Sequence, residues 1–136
     1  MKFFYENRSA EIQFGRGTSL GFDAHLHSHI EFVYLFDGCS RAFVDSEEYL
    51  IQGGDLFIVF SNQIHQYQNT GPEHHILCIF PPEICPEFSP LFQQKVPVSP
   101  VIPGGAENPA ILPLLEGISQ SLSAPSFREE RVRGYF

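Results

Sequence analysis

The sequence predicts a mostly β domain, arranged as a small antiparallel sandwich or barrel and followed by a short α-helical C-terminal segment. Up to Pro81, short runs rich in Phe, Val, Ile and Tyr alternate with turn residues. Prolines interrupt the next stretch, and from Ala110 apolar residues recur at three- and four-residue intervals. A chain of 136 residues is long enough for one domain with a buried core.

Seven runs before Pro81 are predicted to be strands. They cover residues 11–14, 30–36, 41–44, 49–51, 56–60, 65–68 and 74–80. Asp37-Gly38 predicts a hairpin, since Gly accommodates the positive φ of tight turns, and residues 45–47 and 53–55 predict two further turns. Because runs such as 56–60 are apolar on both faces, one face is expected to line the barrel interior and the other to meet a second layer or a partner.

The part after Phe80 is predicted to be a Pro-rich crossing segment that leads into one amphipathic helix. The helical pattern begins near Ala110, and Pro113 fits its first turn. Its apolar stripe consists of Ile111, Leu114, Leu115, Ile118 and Leu122. Core packing within one chain and a dimer seam explain this stripe equally well. Residues 126–136 contain a capping-box pattern and predict the start of a second helix, cut from a longer protein, or else a natural terminus that frays.

Composition excludes several functions. Sixteen acidic and eight basic residues give a net charge of −8, which repels polyanions, so this chain itself is not expected to bind DNA. An odd number of cysteines without paired spacing favours reduced, buried thiols: Cys39, Cys78 and Cys85. The sequence has neither a signal peptide nor an apolar run of about 20 residues, so no membrane partner and a cytoplasmic location are expected.

The segment from His25 to Glu31 contains the most informative motif. His25, His27 and Glu31 share one face of an extended strand, because successive side chains alternate sides. His65 arrives from a later strand. Neutral imidazoles and one carboxylate suit Zn, Ni, Mn or Fe, so these four residues are the predicted metal ligands. The alternative is that the histidines are hydrogen-bonding wall residues of a cavity without metal, and no other cofactor is predicted.

Residues 22–69 resemble a cupin barrel, a double-stranded β-helix of the jelly-roll type. The residues that match its two conserved blocks are His25, His27, Glu31 and Gly38, then Gly54, His65 and Asn69. Three positions depart from the pattern: Ser19, Phe60 and Asn62 stand where it has Gly, Pro and Gly. These departures weaken the inference to an active cupin enzyme more than the inference to the fold.

More narrowly, residues 25–38, 53–58 and 62–65 resemble the amino-terminal sensor domain of AraC-type transcription regulators. The resemblance implies an effector-binding barrel with the Pro-rich crossing segment over residues 1–106. It implies a helical dimerisation segment over residues 107–136, truncated before a helix-turn-helix domain. The implied partners are a small effector such as a sugar or related metabolite, a second copy bound through the C-terminal helix, and DNA only through the missing domain.

Two functions of different classes are compatible with these patterns. The preferred hypothesis is a non-catalytic sensor and dimerisation module, in which the effector shifts the population of two states. The alternative is a small metal-dependent cupin enzyme, an isomerase or dioxygenase, whose ion is held by the same four residues. No nucleophile and base pair is evident in the sequence, so no catalytic residue is predicted. The aromatic residues are explained as effector-stacking or as core side chains: Phe22, Phe32, Tyr34, Phe36, Phe57 and Phe60.

Overall fold

The computed structural model describes residues 2–8, 11–104 and 109–122, which contain ten strands in two five-stranded sheets. Strands are numbered in chain order. The first sheet has the spatial order β1 (Phe4–Tyr5), β3 (Phe22–Leu26), β8 (His65–Asn69), β5 (Cys39–Val44) and β6 (Glu47–Gln52). The second has the order β10 (Val101–Ile102), β7 (Leu56–Val59), β4 (Ile30–Asp37), β9 (His74–Phe80) and β2 (Gln13–Gly17). The predicted mostly β fold is therefore confirmed.

Among the described residues, helical structure is confined to the crossing segment and to the part after it. Two 3-10 turns, Pro82–Ile84 and Pro86–Phe88, lead into the short helix α1 (Ser89–Gln94). The helix predicted from its apolar stripe is α2 (Ile111–Leu122), and Pro113 lies in its first turn. The short C-terminal helix is therefore confirmed.

Successive side chains of β4 point to opposite faces, and in the described part of the chain they enter two apolar cores. Val33 and Leu35 point between the sheets, into a core that also contains Phe57 and Val59. Phe32 points the other way, into a second core between the outer face of the second sheet and the helices. The sequence predicts a covering layer on both faces of this strand. The first sheet covers its inner face, and the chain's own α2 covers its outer face.

The apolar stripe of α2 is a core stripe within one chain. Leu115 and Ile118 are buried in the second core, and Ile111 and Leu122 pack against it. Burial of these side chains supplies most of the stability of such a helix, since an isolated helix of 12 residues is marginal in water. Dimerisation through this helix stays a prediction.

The predicted hairpin at Asp37-Gly38 is wrong. The strands on either side of it lie in different sheets, where β4 pairs with β7 and β9, and β5 pairs with β6 and β8. Gly38 instead turns a corner between the sheets with a φ of 77°. A Cβ at this position would lie 2.4 Å from the carbonyl oxygen of Pro72, so Gly38 is also required by close packing.

Two other predicted turns are confirmed. Asp45 and Ser46 connect β5 to β6 with φ values of 47° and 74°, and Val44 pairs with Glu47 across the hairpin. Gly54 precedes β7 with a φ of 92°. Both turns place the following strand so that its alternate side chains reach the inter-sheet core.

The adjacent residues His74 and His75 of β9 lie in different environments. His74 is exposed and contacts Asp37. The ring of His75 is buried, and its Nδ1 lies 2.8 Å from Oε1 of the buried Glu73. The other oxygen of Glu73 accepts the backbone N–H of Leu20 at 3.0 Å, so this pair ties the start of β9 to the segment before β3.

Two predictions fall on residues outside the described ranges. These are the second helix at residues 126–136 and the domain boundary between residues 106 and 107. Across the residues that are described, no helix is long and apolar enough to cross a membrane.

The three cysteines, all within the described residues, are not joined by disulfides and differ in exposure. Cys78 and Cys85 are buried, while Cys39 is half-buried. Burial, and then the charge of Glu31, raise the pKa of the Cys78 thiol well above its ordinary value. We expect one thiol per native chain to react rapidly with Ellman's reagent, and Cys39→Ser to abolish this fast reaction. Rapid reaction of all three thiols in the folded chain would contradict the buried positions.

Candidate metal centre

The four predicted ligands converge at one end of the inter-sheet space. His25, His27, Glu31 and His65 are all buried, and each offers one ligand atom within 4.8 Å of the others. The imidazoles come from the first sheet and the chain just after β3, whereas the carboxylate comes from β4 in the second sheet. The sequence prediction that these side chains point into one space is confirmed, and metal occupancy stays a prediction.

Strand register explains the convergence. His25 and His65 are direct cross-strand partners on β3 and β8, so their rings lie side by side with centroids 4.1 Å apart. The ring of His27 lies 4.9 Å from that of His65 and 5.4 Å from that of His25. Opposite them, Glu31 pairs with Val59 and Ile79 in the centre of the second sheet.

Each histidine of the cluster is oriented by a backbone carbonyl. Nδ1 lies 2.8 Å from the Asp23 oxygen in His25, 3.0 Å from the His29 oxygen in His27 and 2.9 Å from the Gln63 oxygen in His65. A carbonyl oxygen only accepts, so Nδ1 carries the proton in all three rings. Nε2 is then the nitrogen left to bind a ligand, which is the arrangement typical of metal-binding histidines.

The Nε2 atoms of His27 and His65 face the carboxylate of Glu31, but donors and acceptors are not matched across these contacts. Nε2 of His27 lies 3.2 Å from one oxygen of Glu31, and Nε2 of His65 lies 3.4 Å from the other. The second contact lacks hydrogen-bond geometry, so Nε2 of His65 is a buried polar atom without a hydrogen-bond partner among the described residues. Neutral imidazoles would present only lone pairs to the carboxylate oxygens here, so a proton or a cation must lie between the nitrogen and oxygen atoms. The donor set therefore fits a divalent metal ion.

The ionisation of the cluster has identifiable causes. Burial alone would raise the pKa of Glu31, but the imidazoles beside its two oxygens, first that of His27 and then that of His65, outweigh burial and hold this pKa well below its ordinary value. Burial lowers the pKa of His25, and the neighbouring His65 lowers it further. Burial would also lower the pKa of His65, but Glu31 outweighs burial and raises it. The centre thus combines an anionic carboxylate with a neutral His25, both suited to bind a cation.

Tyr67 is part of this centre, although it was not among the predicted site residues. Its hydroxyl donates a hydrogen bond to Oε2 of Glu31, and the side chain is buried. Burial, and then the charge of Glu31, raise the pKa of Tyr67 well above its ordinary value, so the phenol remains a donor. This contact fixes the orientation of the carboxylate.

We expect Tyr67→Phe to weaken metal binding about 10- to 100-fold, because loss of a hydrogen bond that orients a ligand typically has this effect. Isothermal titration calorimetry with Zn²⁺ measures it. Tyr49→Phe is the matched control, since it removes another phenol that donates to a carboxylate, that of Glu47 at 2.9 Å, far from the cluster in sequence and sheet position. Equal affinities for the two variants would show that Tyr67 does not position Glu31.

Other residues around the centre lie outside the group of candidate ligands. His29 contributes its backbone oxygen to His27, and its own ring is not in the ligand group. Asn69 accepts the backbone N–H of Gly21 and is also outside the group. Phe22, considered as core or stacking surface, is about half exposed, and together with Phe4 it covers the ring of His25 at centroid distances of 4.7 and 5.6 Å.

Several solved structures are partly similar to this chain. An RmlC-like cupin from Shewanella frigidimarina is 21% identical, with 54% of this chain and 69% of that chain covered and a TM-score of 0.48. A protein from Neisseria meningitidis is 19% identical, with 55% and 78% covered and a TM-score of 0.46. The oxalate decarboxylase of Bacillus subtilis, a protein with Mn(II) centres, is 20% identical, with 54% and 22% covered and a TM-score of 0.45.

Comparison with curated proteins finds no match. The family model described as a cupin domain matches residues 10–80, which is more than half of the chain. The match includes every residue of the candidate metal centre and eight of the ten strands, from β2 to β9. This chain therefore belongs to the cupin family.

Proposed function

We propose that this chain is a small-molecule-sensing cupin module, the sensor and dimerisation domain of an AraC-type transcription regulator. In this proposal His25, His27, Glu31 and His65 hold a divalent metal ion in the barrel. The observation that carries the proposal is the position of β4 between the candidate centre and α2. Glu31 points inward from this strand, and its neighbours Ile30 and Phe32 point outward into the core shared with α2.

This arrangement gives a short path from the centre to the helix. Phe32 belongs to the same core as Leu115 and Ile118 of α2. A packed core does not deform continuously, so a change in the position of Glu31 can favour one of two packings of α2. A ligand shifts such an equilibrium only through a different affinity for the two states.

The metal ion would contribute an attachment point for the effector. A divalent ion bound by three imidazoles and one carboxylate supplies a Lewis acid for an oxygen of a small ligand when further coordination positions are open. The four candidate ligands would hold the ion, Tyr67 orients the carboxylate, and Phe4 and Phe22 cover the ring of His25.

The remaining parts of the proposal concern partners. The effector is a small metabolite such as a sugar, the chain forms a homodimer through the C-terminal helix, and the regulator reaches DNA through a separate helix-turn-helix domain. The net charge of −8 agrees with a module that does not itself contact DNA.

The test uses metal alone as the probe, with apo protein prepared by chelation and titrated with Zn²⁺, Mn²⁺ or Ni²⁺. We expect one ion per chain, slower amide hydrogen exchange in α2 on binding, and an increased dimer fraction in light scattering. Glu31→Gln should lose all three responses. Glu48→Gln, which removes an exposed carboxylate that contacts Arg41, is the matched control and should keep them.

Two outcomes would contradict different parts of the proposal. Failure of a folded wild-type chain to bind any of the three ions would refute the metal centre. Stoichiometric binding without a change in α2 exchange or in dimer fraction would refute the coupling through β4. Circular dichroism of each variant verifies that the fold is retained.

The second candidate is a small metal-dependent cupin enzyme, an isomerase or a dioxygenase. The observation that favours it is the hydroxyl of Tyr67, which brings a proton donor to the carboxylate of the candidate centre. An enzyme converts its ligand, whereas a sensor releases it unchanged, so mass spectrometry of metabolites incubated with the metal-loaded chain separates the two. Product formation that Tyr67→Phe abolishes would support the enzyme and contradict the sensor.

A further inference from the structure

An apolar cavity lies outside the barrel, between the outer face of the second sheet and the helices. Its volume is about 290 Å³, and the residues that line it are all Ile, Leu or Phe. Ile58 of β7 and Phe80 of β9 form part of its floor, Phe92 of α1 forms a wall, and Leu115 and Ile118 of α2 form part of its roof. We propose that this cavity binds a neutral, apolar small molecule with one or two aromatic rings.

The chemistry of the lining selects the class of ligand. No lining side chain carries a charge or a hydrogen-bonding group, so a polar ligand would lose its hydration without compensation. An apolar ligand gains dispersion contacts that an empty cavity lacks. Phe92 meets Phe60 and Phe80 edge to face, with interplanar angles of 82° and 79°, and such rings also accept an aromatic guest edge to face.

The volume sets the size of the ligand. A cavity of about 150 Å³ lined by Leu, Ile and Phe binds benzene, so about twice that volume accommodates one or two rings. It lies at the small end of the range of pockets for larger ligands. Leu114 lines the cavity and is 45% exposed, which places a mouth beside the first half of α2.

The cavity is separate from the candidate metal centre. Ile30 and Phe32 line it from the outer face of β4, whereas Glu31 points to the other side of the same strand. A second copy of the chain is a less suitable occupant, because a protein interface needs about 800 Å² of surface on each partner and this cavity lies beneath α2. Ligand binding here therefore requires neither the metal ion nor a second copy of the chain.

The experiment uses 1-(dimethylamino)naphthalene, a neutral fluorescent probe with two aromatic rings and no N–H group, with the whole chain. We expect saturable binding of one probe per chain, and slower amide exchange in α2 when the probe is bound. Ile58→Trp fills the cavity and should weaken binding at least 10-fold, and Ile118→Phe provides a second filled variant. Leu50→Trp adds the same indole at an exposed position of β6, so it should bind within twofold of wild type.

His65→Ala separates this inference from the proposed function. The variant should lose metal binding and keep probe binding within twofold, because the two sites lie on opposite faces of the second sheet. Several results would overturn the inference: probe binding that does not saturate, equal binding by wild type and both filled variants, loss of the probe in His65→Ala, or probe fluorescence that follows the dimer fraction.

Discussion

Replacing His65 by alanine is expected to weaken divalent metal binding at least about 100-fold, since loss of a ligand should exceed the loss of a residue that merely orients one. Nε2 of His65 is a buried ligand atom with no hydrogen-bond partner in the part of the chain that the structure describes, and the carbonyl of Gln63 fixes its ring. Zn²⁺ at 100 times its Kd should raise the free energy of unfolding of the wild type by about 2.7 kcal/mol. The same Zn²⁺ concentration should leave the stability of His65→Ala almost unchanged.

Urea unfolding with and without Zn²⁺ measures this difference, and His74→Ala is the control. The side chain of His74 is 62% exposed and contacts Asp37 at the surface, so its removal deletes an imidazole without touching the cluster. The stabilisation by Zn²⁺ should remain in His74→Ala. Equal stabilisation of wild type and His65→Ala would mean that Zn²⁺ binds elsewhere.

Phe57→Ala is expected to destabilise the chain by about 3–5 kcal/mol, because it leaves a large cavity in a core that relaxes only partially. Phe57 is completely buried between the sheets, and its ring meets Tyr67 at a centroid distance of 5.9 Å. Domains of this size are stable by about 5–15 kcal/mol in total. A loss of this size moves a large fraction of the chain towards the unfolded state, so the urea midpoint should fall sharply.

Phe88→Ala is the control for this substitution. Phe88 is 52% exposed in a 3-10 turn, so its truncation should change stability by no more than about 0.5 kcal/mol. The wild type and both variants are compared by urea unfolding at one temperature. Similar midpoints for Phe57→Ala and Phe88→Ala would contradict the inter-sheet core.

The candidate centre could be predicted from sequence because it depends on local alternation. His25, His27 and Glu31 lie close together in the chain, and strand geometry alone puts them on one face. Tyr67 was missed, although it follows His65 by two residues and so shares its face of β8. The alternation of side chains along a strand, which places His25, His27 and Glu31 on one face, also indicates Tyr67.

Features that depend on distant strands could not be predicted in this way. Asp37-Gly38 has the local signature of a hairpin, but β9 and β7 provide the partners of β4, so the chain turns a corner instead. The stripe of α2 identifies a buried face without identifying what covers it, and only the structure places Leu115 and Ile118 against the second sheet. His75 became buried because Glu73 provides a partner for its ring.

The division of the candidate ligands between the two sheets has a mechanical consequence. His25 and His65 belong to the first sheet and Glu31 to the second, so a bound ion would cross-link the layers of the sandwich. Such a cross-link would close a loop between residues far apart in sequence. An unfolded chain that still held the ion would therefore have fewer accessible conformations. The layers could then separate only by breaking bonds to the ion, which would make release of the metal and opening of the barrel a single event.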